Sequence, residues 1–82
     1  MLQSFVNFLI ATQSGSVSPI RYGTKSGLNV LYVEVQSATK TVSFGVLSGS
    51  NAGYFVAENE TGKVDVFLNF NQAVSFFMGK LA

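Results

Sequence analysis

The residues able to do chemistry in this chain are few, and their types limit what they can do. The 82 residues include no His, no Cys and only four acidic side chains. Without His or Cys, neither a Ser-His-Asp nor a Cys-His nucleophilic arrangement can form within the chain. Glu58 and Glu60 sit beside a turn, where two exposed acids usually interact with solvent. The sequence therefore predicts a protein that is not an enzyme and holds no metal or other cofactor.

Aromatic and cationic side chains offer a different chemistry, the stacking of nucleic-acid bases together with neutralisation of the backbone. A single-strand-binding groove needs exposed rings on a sheet and a few cations that follow the phosphates. One base stacked on one ring contributes about 1 to 3 kcal/mol and requires no net charge. The residues predicted to bind nucleic acid are Arg21, Tyr22, Lys25, Tyr32, Lys40, Lys63 and Phe67.

The aromatic residues also have a simpler interpretation, in which they fill a core and an interface between subunits. Three Tyr and eight Phe are many for a chain of 82 residues. Tyr54, Phe55 and Phe67 fit this packing interpretation slightly better than a ligand-binding one. For Tyr22 and Tyr32 both interpretations stay open, because a phenol tolerates a wet surface.

Length and composition predict a single domain over residues 1–82 that associates with itself. A domain of this size buries roughly 60 to 65 % of its surface on folding, so its stability is marginal without a supplement. Hydrophobic residues make up 48 % of the chain and charged residues 11 %, which leaves apolar surface for a homodimer or a higher oligomer. The net charge of +1 disfavours strong binding to duplex DNA.

Membrane insertion is not expected. A bilayer span needs roughly 18 to 20 apolar residues, and Asn7 already interrupts the apolar start of the chain. No Lys or Arg precedes that start, so we predict no signal peptide and no membrane partner.

Alternating apolar and polar side chains predict an antiparallel sheet. Residues 29–47 have the pattern of one strand pair, and residues 53–70 have that of a second pair closed by a turn at 59–62. In the last strand, the residues expected to face the core are Val64, Val66, Leu68 and Phe70. Lys63 and Phe67 would then point away from it.

The two ends of the chain have helical features. Val74, Phe77, Met78 and Leu81 form a stripe that predicts a helix from about Asn71, with Asn71 as its N-cap. Residues 1–12 fit a helix and a strand equally well. The predicted fold class is α+β, with four to five antiparallel strands and a C-terminal helix, and an OB-like barrel is the alternative.

Two short resemblances point in the same functional direction. The segments "SGSVSPIRYGTKSG", "LNVLYVEV" and "NAGYFVAENETGKVDVFLNF" resemble the single-stranded DNA-binding proteins of filamentous bacteriophages. That resemblance implies a homodimer with an OB-like barrel that coats single-stranded DNA through Arg21, Tyr22, Lys25 and Tyr32. The run "FLNFNQAVSFFMGKL" is similar to single-strand-binding domains of the positive cofactor four type, which implies a twisted sheet backed by a helix.

The sequence thus predicts a protein that binds single-stranded nucleic acid, DNA or RNA, without sequence preference. The mechanism would combine base stacking on sheet aromatics with backbone contacts from Lys and Arg. A cytoplasmic location is expected, in the host cytoplasm if the protein is viral. The alternative is a structural or assembly protein, for example a viral or oligomer-forming subunit without a nucleic-acid ligand.

Overall fold

The computed structural model describes residues 2–12, 16–25, 27–37, 39–48 and 53–81. These residues form two helices and six strands, which confirms an α+β protein with an antiparallel sheet and a C-terminal helix. In chain order the elements are α1 (Leu2–Thr12), β1 (Ser16–Val17), β2 (Arg21–Lys25), β3 (Leu28–Gln36), β4 (Thr41–Leu47), β5 (Tyr54–Glu58), β6 (Lys63–Phe67) and α2 (Phe70–Leu81).

The six strands form one open antiparallel sheet. Its order is β1-β3-β4-β5-β6, and β2 pairs with the first half of β3 on the same side as β1. Strands β1 and β2 arise from the Ser- and Gly-rich stretch before residue 28, which is why the sheet exceeds the expected four to five strands. Within the described residues the two outer edges do not pair with each other, so the OB-like barrel is not formed.

Residues 2–12 are a helix rather than a strand. Phe5, Val6 and Leu9 are buried at helical spacing and lie in the main core. The ring of Phe5 packs on that of Phe44 in β4, with 4.8 Å between centroids. Tertiary packing of this apolar stripe on the sheet therefore resolves the ambiguity in favour of a helix.

The C-terminal helix begins slightly earlier than the sequence suggested. The side-chain oxygen of Asn69 accepts a hydrogen bond from the backbone N–H of Gln72 at 3.1 Å. Asn69 is therefore the N-cap of α2, and the prediction that Asn71 caps the helix is wrong. The earlier start includes Phe70 in the helix, and its ring packs 5.3 Å from that of Tyr54.

The main core lies between the two helices and one face of the sheet. Phe44 occupies its centre and is completely buried. Its ring contacts that of Phe77 in α2, with centroids 5.2 Å apart, and that of Phe5 in α1, and the Phe5 and Phe77 rings also contact each other at 5.9 Å. We call this side of the sheet the helix face.

The orientation predicted for β6 is wrong. Phe67 pairs with Tyr54 and lies on the helix face, where its ring is 5.1 Å from that of Phe76 in α2. Val66 and Leu68, expected in the core, are instead 51 % and 85 % exposed. Alternation along a strand separates its two faces, but it does not say which face a later helix will cover.

The opposite side of the sheet, the concave face, carries a second and smaller apolar cluster. Val30, Phe55 and Ala57 are buried there, with Tyr32, Leu47 and Val64 packed around them. None of the residues described in this cluster belongs to a helix. The Phe55 ring fills the space above Gly45, where an added Cβ would lie 2.6 Å from the ring and would collide with the backbone of Leu31.

Candidate nucleic-acid interface

Four of the seven predicted binding residues come together on one hairpin. Arg21, Tyr22 and Lys25 lie on β2, and Tyr32 lies on the paired strand β3. Arg21 is directly opposite Tyr32 in the strand register. Pairing of β2 with β3 therefore collects residues that are up to eleven positions apart in sequence.

On the concave face, two cations flank one ring. The ammonium nitrogen of Lys25 lies 4.9 Å from the centroid of the Tyr32 ring, a cation–π geometry. The ring also covers Gly23, since a Cβ added there would lie 3.3 Å from the Tyr32 Cε1 atom. We call Arg21, Lys25 and Tyr32 the hairpin cluster. Because Lys25 covers Tyr32 and the ring is half-buried, a base can stack on it only if Lys25 moves.

Arg21 forms an ion pair that the sequence pattern did not reveal. Its Nη1 atom is 2.7 Å from Glu34 Oε1, and the two side chains are 50 % and 23 % exposed. The other carboxylate oxygen of Glu34 accepts a hydrogen bond from Asn59 Nδ2 at 3.2 Å. Glu34 therefore connects the hairpin to the end of β5 and offsets part of the positive charge of Arg21.

Tyr22 points the other way. It pairs with Leu31 in the register and so belongs to the helix-face side of β2, but it lies at the sheet edge and is 68 % exposed. No other aromatic side chain is as exposed in the described residues, which include all eleven aromatics. Tyr22 is therefore the ring most accessible to a nucleic-acid base.

A cleft opens where the tip of the hairpin approaches the turn between β5 and β6. One wall holds Thr24 and Lys25, and the other holds Asn59 and Gly62. Ala57 and Val64 give the cleft an apolar floor, and Glu58 completes its lining. The hairpin thus folds over the concave face, which explains how Val30 and Phe55 become fully buried without a helix above them.

The remaining predicted residues lie elsewhere. Lys40, partly buried, precedes β4, and exposed Lys63 begins β6, so both lie at the same end of the sheet. Phe67 lies on β6, the edge opposite the hairpin, and is partly covered by α2. Tyr22, Tyr32 and Phe67 consequently do not share one exposed face, and a stacking platform of three rings is not formed.

Other kinds of site find little support in the described part of the chain. Residues 2–12, 16–25, 27–37, 39–48 and 53–81 contain no group of three or more acidic, His or Cys side chains placed to hold a metal ion. Neither helix in these ranges has the length of apolar residues that crossing a membrane requires.

Comparison of the chain with family models, curated proteins and solved structures finds no match.

Proposed function

We propose that this protein binds single-stranded nucleic acid, without sequence preference, along the β2–β3 hairpin and the cleft beside it. The observation that supports this best is the gathering of two cations and two Tyr rings on one hairpin. Arg21 and Lys25 flank Tyr32, and Tyr22 is 68 % exposed on the adjoining edge. Rings and cations arranged in this way are the usual components of a single-strand-binding surface.

Each residue of the hairpin has a distinct role in this proposal. Arg21 and Lys25 contact phosphates, and the planar guanidinium of Arg21 can donate two parallel hydrogen bonds to one phosphate. Tyr22 provides the ring on which a base stacks. Tyr32 supports Lys25 through the cation–π contact rather than acting as the main platform. Lys40 and Lys63 add backbone contacts if the strand continues towards that end of the sheet.

The modest net charge is compatible with this role because few phosphates need to be neutralised. For single strands, the logarithm of the binding constant falls with the logarithm of salt concentration by about 0.7 for each phosphate contacted. Two contacts predict a slope of about −1.4, and four predict about −2.8. A cytoplasmic location, in a host cell if the protein is viral, belongs to the same proposal.

Fluorescence anisotropy with a labelled oligothymidine at two salt concentrations tests the proposal. We expect saturable binding that weakens as salt rises, and weaker binding by the variant Arg21→Gln. Gln72→Glu is the matched control, because it lowers the net charge by the same one unit at an exposed position on α2. Absence of binding at low salt would exclude the proposed function, and equal loss in both variants would exclude the hairpin as the binding surface.

A structural or assembly role is the second candidate function, and self-association accompanies either one. The observation that favours it is the exposure of Val66 and Leu68 beside the free edge of β6. Binding of oligothymidine separates the two functions, because an assembly protein without a nucleic-acid ligand would show none.

A further inference from the structure

The free edge of β6 is open and apolar. In the described residues, β6 pairs with β5 on one side and with no strand on the other. Its register with β5 is continuous, so no bulge turns the edge away, and the strand contains no Pro. Natural proteins usually protect such an edge, since its unpaired N–H and C=O groups are a template for another strand.

The side chains along this edge add an apolar surface. Val66 is 51 % exposed and lies on the concave side with the partly buried Val64, and Leu68, in the bend that follows the strand, is 85 % exposed. The charged residues of the strand, Lys63 and Asp65, pair with Glu58 and Val56 and so lie on the helix-face side. A strand added at this edge would therefore meet only apolar side chains on the concave side.

We infer that β6 pairs in antiparallel fashion with β6 of a second copy of this chain, which makes a homodimer with one continuous sheet. The inference goes beyond nucleic-acid binding and does not depend on it. A second copy fits because the edge is self-complementary when two copies are related by a two-fold axis perpendicular to the sheet. Pairing about that axis keeps the concave faces of the two copies on the same side of the joined sheet.

The strand sequence selects one register. An axis at Asp65 would place two carboxylates directly opposite each other, which is destabilising. An axis at Val64 would place Val66 opposite Gly62, whose φ of 73° belongs to the turn and ends the extended backbone. An axis at Val66 avoids the carboxylate pair and joins the most exposed apolar side chains of this edge, with Leu68 taken from the bend just after the strand. It sets the Val66 side chains of the two copies side by side and brings Val64 of each copy opposite Leu68 of the other.

The oligomeric state of aspartate variants tests the surface. Light scattering coupled to gel filtration should give a dimer mass for the wild-type protein and a monomer mass for Val66→Asp and Leu68→Asp. Ile10→Asp is the matched control, because Ile10 is 61 % exposed on α1, away from β6, and its variant should stay dimeric. A wild-type monomer at all concentrations, or equal dissociation of the control, would overturn the inference. Circular dichroism of each variant shows whether it is folded.

Disulfide trapping tests the register, and the chain suits it because it contains no Cys. Under mild oxidation, Val66→Cys should form a covalent dimer, whereas Val64→Cys alone should not. A mixture of Val64→Cys and Leu68→Cys should crosslink between the two variants. Trapping through Val64→Cys alone, or no trapping at any of these positions, would exclude pairing about Val66. Neither experiment uses nucleic acid, so its failure is distinct from failure of the proposed function.

Discussion

Glu34 is the residue that controls the charge of the hairpin. Its carboxylate binds Arg21 at 2.7 Å and Asn59 at 3.2 Å, so a phosphate that approaches Arg21 must compete with an anion already in place. A partly exposed pair of this kind contributes at most about 1 kcal/mol. That is weak enough for a ligand to displace, and strong enough to hold the Arg21 side chain in position beforehand.

Replacement of Glu34 by Gln should strengthen binding to oligothymidine about two- to five-fold, because Arg21 then loses its competing partner. The amide oxygen of Gln can still accept hydrogen bonds, so we expect the hairpin to stay in place. Anisotropy titration at low salt measures the change.

Glu60→Gln is the matched control for this prediction. It removes the same charge from a carboxylate that accepts a hydrogen bond from the Thr41 N–H and lies outside the hairpin cluster. A smaller gain is expected from it. If the two variants gain equally, net charge rather than release of Arg21 is responsible.

Gly45 shows how the second cluster depends on the absence of one side chain. A Cβ at this position would collide with the backbone of β3 and lie 2.6 Å from the Phe55 ring. Gly45→Ala should therefore lower the free energy of unfolding by about 1 to 3 kcal/mol, the usual cost of overpacking. Urea denaturation measures it.

Gly79→Ala is the control, and we expect it to change the free energy of unfolding in the opposite direction. Gly79 lies in α2, and a Cβ there would meet no atom within 4 Å. Gly79→Ala should raise the free energy of unfolding by about 0.5 to 1 kcal/mol, because Ala is the better helix former. If Gly45→Ala is as well tolerated as Gly79→Ala, then β3 and Phe55 do not approach Gly45 as closely as the structure indicates.

At the scale of elements, the start of α2 is set by one side chain out of two candidates. Asn69 and Asn71 are both reasonable caps by type, yet only Asn69 accepts a hydrogen bond from the first turn in the described structure. Asn69→Ala should cost about 1 kcal/mol of stability. Asn71→Ala should be neutral or slightly stabilising, since Ala is favoured inside a helix. Thermal or urea unfolding of the two variants compares them, and the reverse order would restore Asn71 as the cap.

Some helices and strands of the fold follow from local sequence patterns alone. The alternation in β3 and β4 and the stripe of α2 were sufficient to place these elements to within a few residues. The ambiguous residues 2–12 became a helix because Phe5 packs against Phe44, which is a contact between distant parts of the chain. In β6 both faces carry apolar residues, because the sheet has a cluster on each side, so alternation gave the wrong face.

Only part of the candidate site could be predicted from the sequence, because some of its contacts join distant parts of the chain. Arg21, Tyr22, Lys25 and Tyr32 were identified by residue type, and the β2–β3 pairing brings them together. Glu34 and Asn59 were missed because their hydrogen bond joins residues 25 positions apart, and no local spacing signals it. Alternation predicts that Phe67 faces outward, whereas α2 covers that face of β6, so Phe67 does not join the hairpin.

At the scale of the whole molecule, the two proposed surfaces start from opposite edges of one sheet and approach each other at the cleft, which Val64 also lines. The hairpin occupies the β2 edge, and β6 forms the other. Both helices contribute to the core on the helix face, so β6 pairing leaves the concave side of the dimer continuous. The two hairpins of such a dimer, one from each copy, can engage the same nucleic-acid strand.

Two sites in one molecule make binding depend on the length of the strand. Once one hairpin is bound, the second meets the strand at a high effective concentration, which strengthens overall binding without any new contact. The dimer should therefore bind an oligothymidine that is long enough to reach both hairpins more tightly than a short one. We expect the binding constant to rise by a factor on the order of ten or more. Val66→Asp should lose that advantage while binding the short strand normally, because it leaves the hairpin intact. Anisotropy titrations with the two lengths measure the ratio, and a ratio that is unchanged in Val66→Asp would show that the two edges act independently.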